Sequence, residues 1–119
     1  KIGSYANLDI GDDVVANLIQ ALSQGFIPIF AMSVDQAFVD WRSSDVYPGR
    51  VGKAVGRHMM AIVGGEFSGL GAPPFFLVRN SWSAQWGDGG YVRIAATYIA
   101  GYDCTDRRAF TSVPAIEAA

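Results

Sequence analysis

The sequence predicts an α+β domain, one amphipathic helix packed on strands that run back on one another. Three observations carry this. Apolar residues recur at helical spacing from Val14 to Ser23. Runs rich in strand-forming residues follow at Phe26 to Val34, Arg57 to Val63, Phe75 to Val78 and Tyr91 to Ile94. The last three are joined by Gly- and Pro-rich connections that turn the chain back on itself.

In chain order, residues 1–13 are polar and carry Gly3 and Gly11, which suits an extended lead-in, with Asp12 or Asp13 placed to cap the helix. Within the helix, Val14, Val15, Leu18, Ile19 and Leu22 share one face. Gly25 follows as a left-handed cap. The nearly unbroken apolar run from Phe26 to Val34 suits a strand buried on both faces. Asp35 to Trp41 reads as a short helix or turn in which Phe38 and Trp41 pack. Residues 42–56 hold Ser43, Ser44, Pro48, Gly49, Gly52 and Gly56 and read as loop. Arg57 and His58 open the next strand, and Gly64, Gly65, Gly69, Gly71, Pro73 and Pro74 return it as Phe75 to Val78. Ala95 to Ala100 reads as a continuing strand, and residues 101–119 as a partly ordered end.

Bulk properties narrow the class. A chain of 119 residues makes one domain at most. Half its residues are hydrophobic and mean hydropathy is +0.21, which means either a tight core or a core plus a face meant for a partner. The net charge of −2, the pI of about 5.1 and the lack of a basic cluster argue against nucleic acid. The longest apolar run falls well short of the roughly 20 residues a membrane helix needs. No signal-peptide pattern opens the chain, and Lys1 in the first position is expected to reflect processing or the choice of boundaries. Cys104 is the single Cys, so no intrachain disulfide can form. No metal and no cofactor are expected.

The most informative stretch is Phe75 to Ile94. Two short strands flank Asn80-Ser81-Trp82 and Trp86-Gly87-Asp88-Gly89-Gly90. A plain hairpin closes with two residues such as Asp-Gly and has no use for two large aromatics. Upstream lies His58-Met59-Met60-Ala61-Ile62-Val63-Gly64-Gly65. A lone His before an apolar run is by default an ordinary core or surface residue.

Together these residues resemble the papain-like cysteine proteases. Asn80-Ser81-Trp82 with Trp86 to Ile94 is similar to that family's asparagine segment, and His58 to Gly65 to its histidine strand, His58 and Asn80 being separated by 22 positions. The resemblance implies that residues 1–119 are the β-rich, right-hand half of a papain-like domain: an antiparallel twisted sheet or half-barrel with one or two packing helices. The N-terminal half, which bears the nucleophilic Cys, is absent from this chain. The apolar excess then favours a core plus a partner face.

The resemblance further implies a cysteine-type peptidase working by a Cys-His-Asn mechanism. His58 is the general base and acid, Asn80 orients its ring, and Trp82 shields their hydrogen bond. Trp86 is a packing anchor. Aligned on the family, Phe30 falls where a side chain lines the main specificity pocket, and it is equally a core Phe. Met59 reaches the same pocket or fills the core. Arg57 reaches over the cleft or is solvated. Ser83 departs from the family's usual Gly. The nucleophile and the oxyanion donors are both missing, so the chain alone is expected to be inactive. Cys104 sits beside Asp103, and acidic neighbours disfavour a thiolate. Expected partners are the Cys-bearing half of the same precursor and a peptide or protein substrate, in a secreted, periplasmic or lysosome-like compartment. The competing expectation is a non-catalytic papain-like binding or assembly module. The presence of both His58 and Asn80 argues against it.

Overall fold

The computed structural model describes residues 5–7, 13–69 and 73–111. In chain order the elements are β1 (Tyr5–Asn7), α1 (Val14–Ser23), β2 (Phe26–Val34), α2 (Gln36–Val39), β3 (Val46–Tyr47), β4 (Gly56–Glu66), β5 (Phe75–Arg79), β6 (Tyr91–Ala95), α3 (Ala96–Ile99) and β7 (Cys104–Thr111). The strands form a seven-stranded sheet in the order β1-β7-β2-β4-β5-β6-β3. Every pairing is antiparallel except that of β3 with β6. The architecture is the expected α+β, β-rich half with short packing helices.

Helix α1 starts where Asp13 accepts a hydrogen bond from the Ala16 amide at 2.9 Å, satisfying a donor that the first turn cannot pair. It ends before Gly25, whose φ of +84° is the left-handed conformation that favours glycine. Leu18 and Ala21 are buried, and Val14, Val15, Ile19 and Leu22 pack against the same core.

Strands β2 and β4 carry the centre of the sheet, pairing Phe30 with Met60 and Met32 with His58. Side chains alternate between faces. On the inner face Phe30, Met32, Val34, Met60, Ile62, Phe76, Val78, Val92 and Ile94 are all buried in one cluster. On the outer face Ile27, Met59 and Val63 are 40%, 52% and 45% exposed. The two-sided burial expected of Phe26 to Val34 is met on the inner face, whereas the outer face is apolar and largely uncovered.

Two expectations are corrected. Residues 42–56 are not all loop, because Val46 and Tyr47 pair in parallel with Arg93 and Ile94. Tyr47 is buried and packs edge-on to Phe38 and Trp41. Ala95 to Ala100 does not continue the strand but turns into α3. The Ala96 amide donates to the Pro74 carbonyl at 3.1 Å, and the buried Arg107 guanidinium donates to the carbonyls of Ile99 and Gly101 at 2.7 and 2.6 Å. Within residues 101–119, read as a partly ordered end, β7 enters the sheet between β1 and β2. Within the lead-in, Tyr5–Asn7 forms a strand on β7. The alternative cap Asp12, Gly71 and the tail 112–119 lie outside the described residues.

Candidate active site

His58 stands near the start of β4, and Asn80 one residue past the end of β5, the next strand in the sheet. Adjacent strands thus bring together two residues 22 apart in sequence. His58 Nε2 lies 2.8 Å from Asn80 Oδ1. An amide oxygen only accepts, so Nε2 carries the proton and donates, and Nδ1 is left as the basic nitrogen. Asn80 is buried, and its backbone N–H donates to the Gly90 carbonyl at 3.0 Å. Its Nδ2 is buried with no partner among the described residues, so the amide is held by the His58 contact and by packing.

Trp82 stacks on the His58 imidazole, with ring centroids 4.7 Å apart and planes inclined by 27°. Behind it, Trp82 meets Trp86 edge-on at 5.3 Å and Phe38 at 5.9 Å. Trp86 is itself buried, and its indole N–H donates to the Phe38 carbonyl at 2.9 Å. The Gly87 amide donates to the Trp41 carbonyl at 2.7 Å. The β5–β6 loop is thereby tied to α2. Gly87 has a φ of +64°, and a Cβ there would stand 2.5 Å from the Tyr91 carbonyl oxygen, so this close approach requires glycine.

The support under α2 is polar. Asp35 caps it, accepting from the Phe38 amide at 3.0 Å, and also accepts from the Tyr47 hydroxyl and the Val51 and Gly52 amides. Burial alone would raise its carboxyl pKa. The donors of Phe38, Gly52, Tyr47 and Val51 outweigh that penalty and hold it below the usual carboxylate range. The Tyr47 hydroxyl is pushed the other way by burial and by the Asp35 charge.

The remaining sequence-predicted residues separate. Met59 lies on the outer face, exposed, one position beyond His58. It helps line a depression of about 350 Å³ with Ile29, Met60, Ala61, Arg79 and Ser81. Phe30, expected as pocket wall or core, is a core residue. It is fully buried on the inner face, and the outer-face position across from Met59 belongs to Ala31. Arg57 extends across β2 and donates to Ser33, to the Ala31 and Asp103 carbonyls and to Thr105. Ala31, Ser33 and Thr105 were missed. Strict alternation from a buried Phe30 would have marked Ala31, while Thr105 carries no such signal. Cys104 is buried on the inner side, where loss of solvent pushes its thiol up to about 12. Among the described residues no three His, Cys, Asp or Glu side chains are grouped to hold a metal ion, and no helix is long and apolar enough to cross a membrane.

The model of the papain family of cysteine proteases matches residues 2–110. The KDEL-tailed cysteine endopeptidase CEP2 of Arabidopsis thaliana is 30% identical over 96 residues, which is 77% of this chain and 26% of that protein. The gut-specific cysteine proteinase of Caenorhabditis elegans is 40% identical over 65 residues, 54% of this chain and 18% of that protein. Among solved structures, the bromelain protease of Ananas comosus in complex with the E64 inhibitor superimposes with a TM-score of 0.68 at 26% identity, over 92% of this chain and half of that one. Procathepsin B of Trypanosoma congolense shares the fold, with a TM-score of 0.69 at 21% identity, over 92% of this chain and 36% of that one. The chain spans about a quarter or less of the length of these curated relatives.

Proposed function

Because this chain belongs to the papain family of cysteine proteases, we propose that it supplies the His–Asn half of a peptidase active site and that a Cys-bearing N-terminal half of the same protein completes it. The observation that carries this reading is the His58 Nε2 to Asn80 Oδ1 hydrogen bond of 2.8 Å under the stacked Trp82 ring.

The chemistry follows from which ring nitrogen is free. Asn80 accepts the Nε2 proton and so presents Nδ1 to the cleft. A thiol placed there gives its proton to Nδ1, and the thiolate left behind is the nucleophile. It attacks the carbonyl carbon of a peptide bond, and the imidazolium passes its proton to the departing amine. Water, deprotonated by the same nitrogen, then opens the thioester and frees the carboxylic acid. A neutral amide orients the ring without placing a compensating negative charge beside it. The Trp82 face keeps water off the His58–Asn80 bond and strengthens it.

Residues 1–119 serve on this reading as the C-terminal half of the domain. The uncovered apolar strip of Ile27, Met59 and Val63 supports it, since such a strip suits a second half-domain better than water. Substrates are peptides or proteins. The chain by itself has no thiol suited to the reaction, because Cys104 is buried and protonated.

The test is labelling of the full-length protein with a thiol-directed epoxide, read by intact mass, alongside peptide hydrolysis. One adduct on the N-terminal half and hydrolysis that falls by about 10³-fold or more in His58→Ala are expected. Undiminished turnover in that variant would sink the assignment. A full-length protein that neither labels nor hydrolyses would be a binding module.

A further inference from the structure

We propose that Arg57 makes this site a reader of acidic side chains: a substrate residue near the cleaved bond lays its methylenes on Met59 and its carboxylate against the Arg57 guanidinium. This rests on the peptidase reading and names the substrate class it takes.

Position comes first. Arg57 and Met59 flank His58 on β4, and alternation places both on the outer face. Their backbones lie within about 7 Å of each other, the length of two strand residues. Both therefore stand beside the His58 position.

The guanidinium is fixed but not neutralised. Nη1 donates to Ser33 Oγ at 2.9 Å and to the Asp103 carbonyl at 3.3 Å. Nη2 donates to the Ala31 carbonyl at 3.5 Å and to Thr105 Oγ1. All four acceptors are neutral. They hold the side chain across β2, where Ala31 is buried although it lies on the outer face. Arg57 itself is exposed. Its Nε–H is not among the donors used, and the contact to Ala31 is long enough to yield to a charged acceptor.

The neighbouring carboxylates have other donors of their own. Asp103 accepts from Arg50 at 2.9 and 3.1 Å and from the Tyr98 hydroxyl at 2.6 Å, and those donors, with the charges of Arg50 and Arg57 beside them, hold its pKa below the usual range. Asp106 accepts from Thr105 Oγ1 at 3.3 Å and lies 3.9 Å from the Arg108 guanidinium. A positive charge thus remains beside exposed apolar surface, which suits glutamate. Its two methylenes match Met59 and its carboxylate reaches the arginine.

The experiment uses the full-length protein and peptide pairs bearing Glu or Gln at each of three positions on either side of the cleaved bond. At one position kcat/KM is expected to favour Glu by about tenfold, and the preference is expected to shrink as salt rises. Arg57→Gln should abolish the preference while hydrolysis of the Gln peptide persists. Arg57→Lys should keep part of it, and a thermal melt of each variant separates lost recognition from lost folding. No Glu preference at any position, or one that survives Arg57→Gln, overturns the proposal. Fluorescence anisotropy with the same labelled peptides separates this from failure of the peptidase reading. Without hydrolysis, tighter binding of the Glu peptide that vanishes in Arg57→Gln still supports Arg57 recognition, and equal binding of the pair overturns it.

Discussion

The two faces of the β2–β4 pair are built from similar residues and live in different surroundings. Inside, Phe30, Met32, Met60 and Ile62 are between 0% and 4% exposed. Outside, Ile27, Met59 and Val63 keep 40% or more of their surface in water. The contrast teaches that a long apolar run reports how many faces a strand is meant to bury, not how many its own chain covers. The inner face is finished within these residues. Among the described residues the outer face is left open.

The largest effect that tests this contrast is on stability. Phe30→Ala removes an aromatic ring from the closed side and is expected to cost about 3–5 kcal/mol, whereas Met59→Ala on the open side should change the unfolding free energy of this chain by about 0.5 kcal/mol or less. Urea titrations of both variants decide it, and equal losses would erase the distinction. Acid gives a smaller effect through Asp35, a carboxylate buried at the inner end of β2. Although burial pushes its carboxyl up, the hydrogen bonds it accepts hold its folded pKa below the usual carboxylate range. Its contribution is therefore fully present above the unfolded value and is lost as pH falls through the folded one. Asp35→Asn should flatten the acid side of a stability–pH curve, and superimposable curves would count against the capping network. The mildest test is chemical. Dilute peroxide should convert Met59 to the sulfoxide while Met32 and Met60 are spared, as read by peptide mass. Oxidation of Met60 at the same rate would mean the inner face is not closed, and protection of Met59 in the full-length protein would place the second half on the outer one.

The sequence showed α1, β2, β4, β5 and β6 because each has strong periodicity and clear turn residues at its ends. It did not show β7. There Asp106 takes a φ of +55°, Arg107 turns inward to donate to the end of α3, and the register against β2 shifts between Ile29 and Ala31. Bulged, charged strands lose the alternation by which strands are read. β3 is two residues long and exists only because β6 is beside it. Of the site, His58 and Asn80 were legible as a motif, and the geometry between them needed the sheet. Phe30 illustrates the limit, since a shift of one residue along a strand exchanges core for surface.

Among the described residues β7 is the last strand in sequence, yet it lies between β1 and β2, with Phe110 opposite Tyr5. A polypeptide leaving the ribosome has therefore made β2 and β4 well before β2 acquires its second neighbour. Until the last strand emerges, the backbone along that margin of β2 is an open template beside apolar side chains, the kind of edge that recruits strands from other molecules. Pairing so distant in sequence is also slow to form. Translation pace and early chaperone capture should thus govern how much of this protein reaches its native sheet.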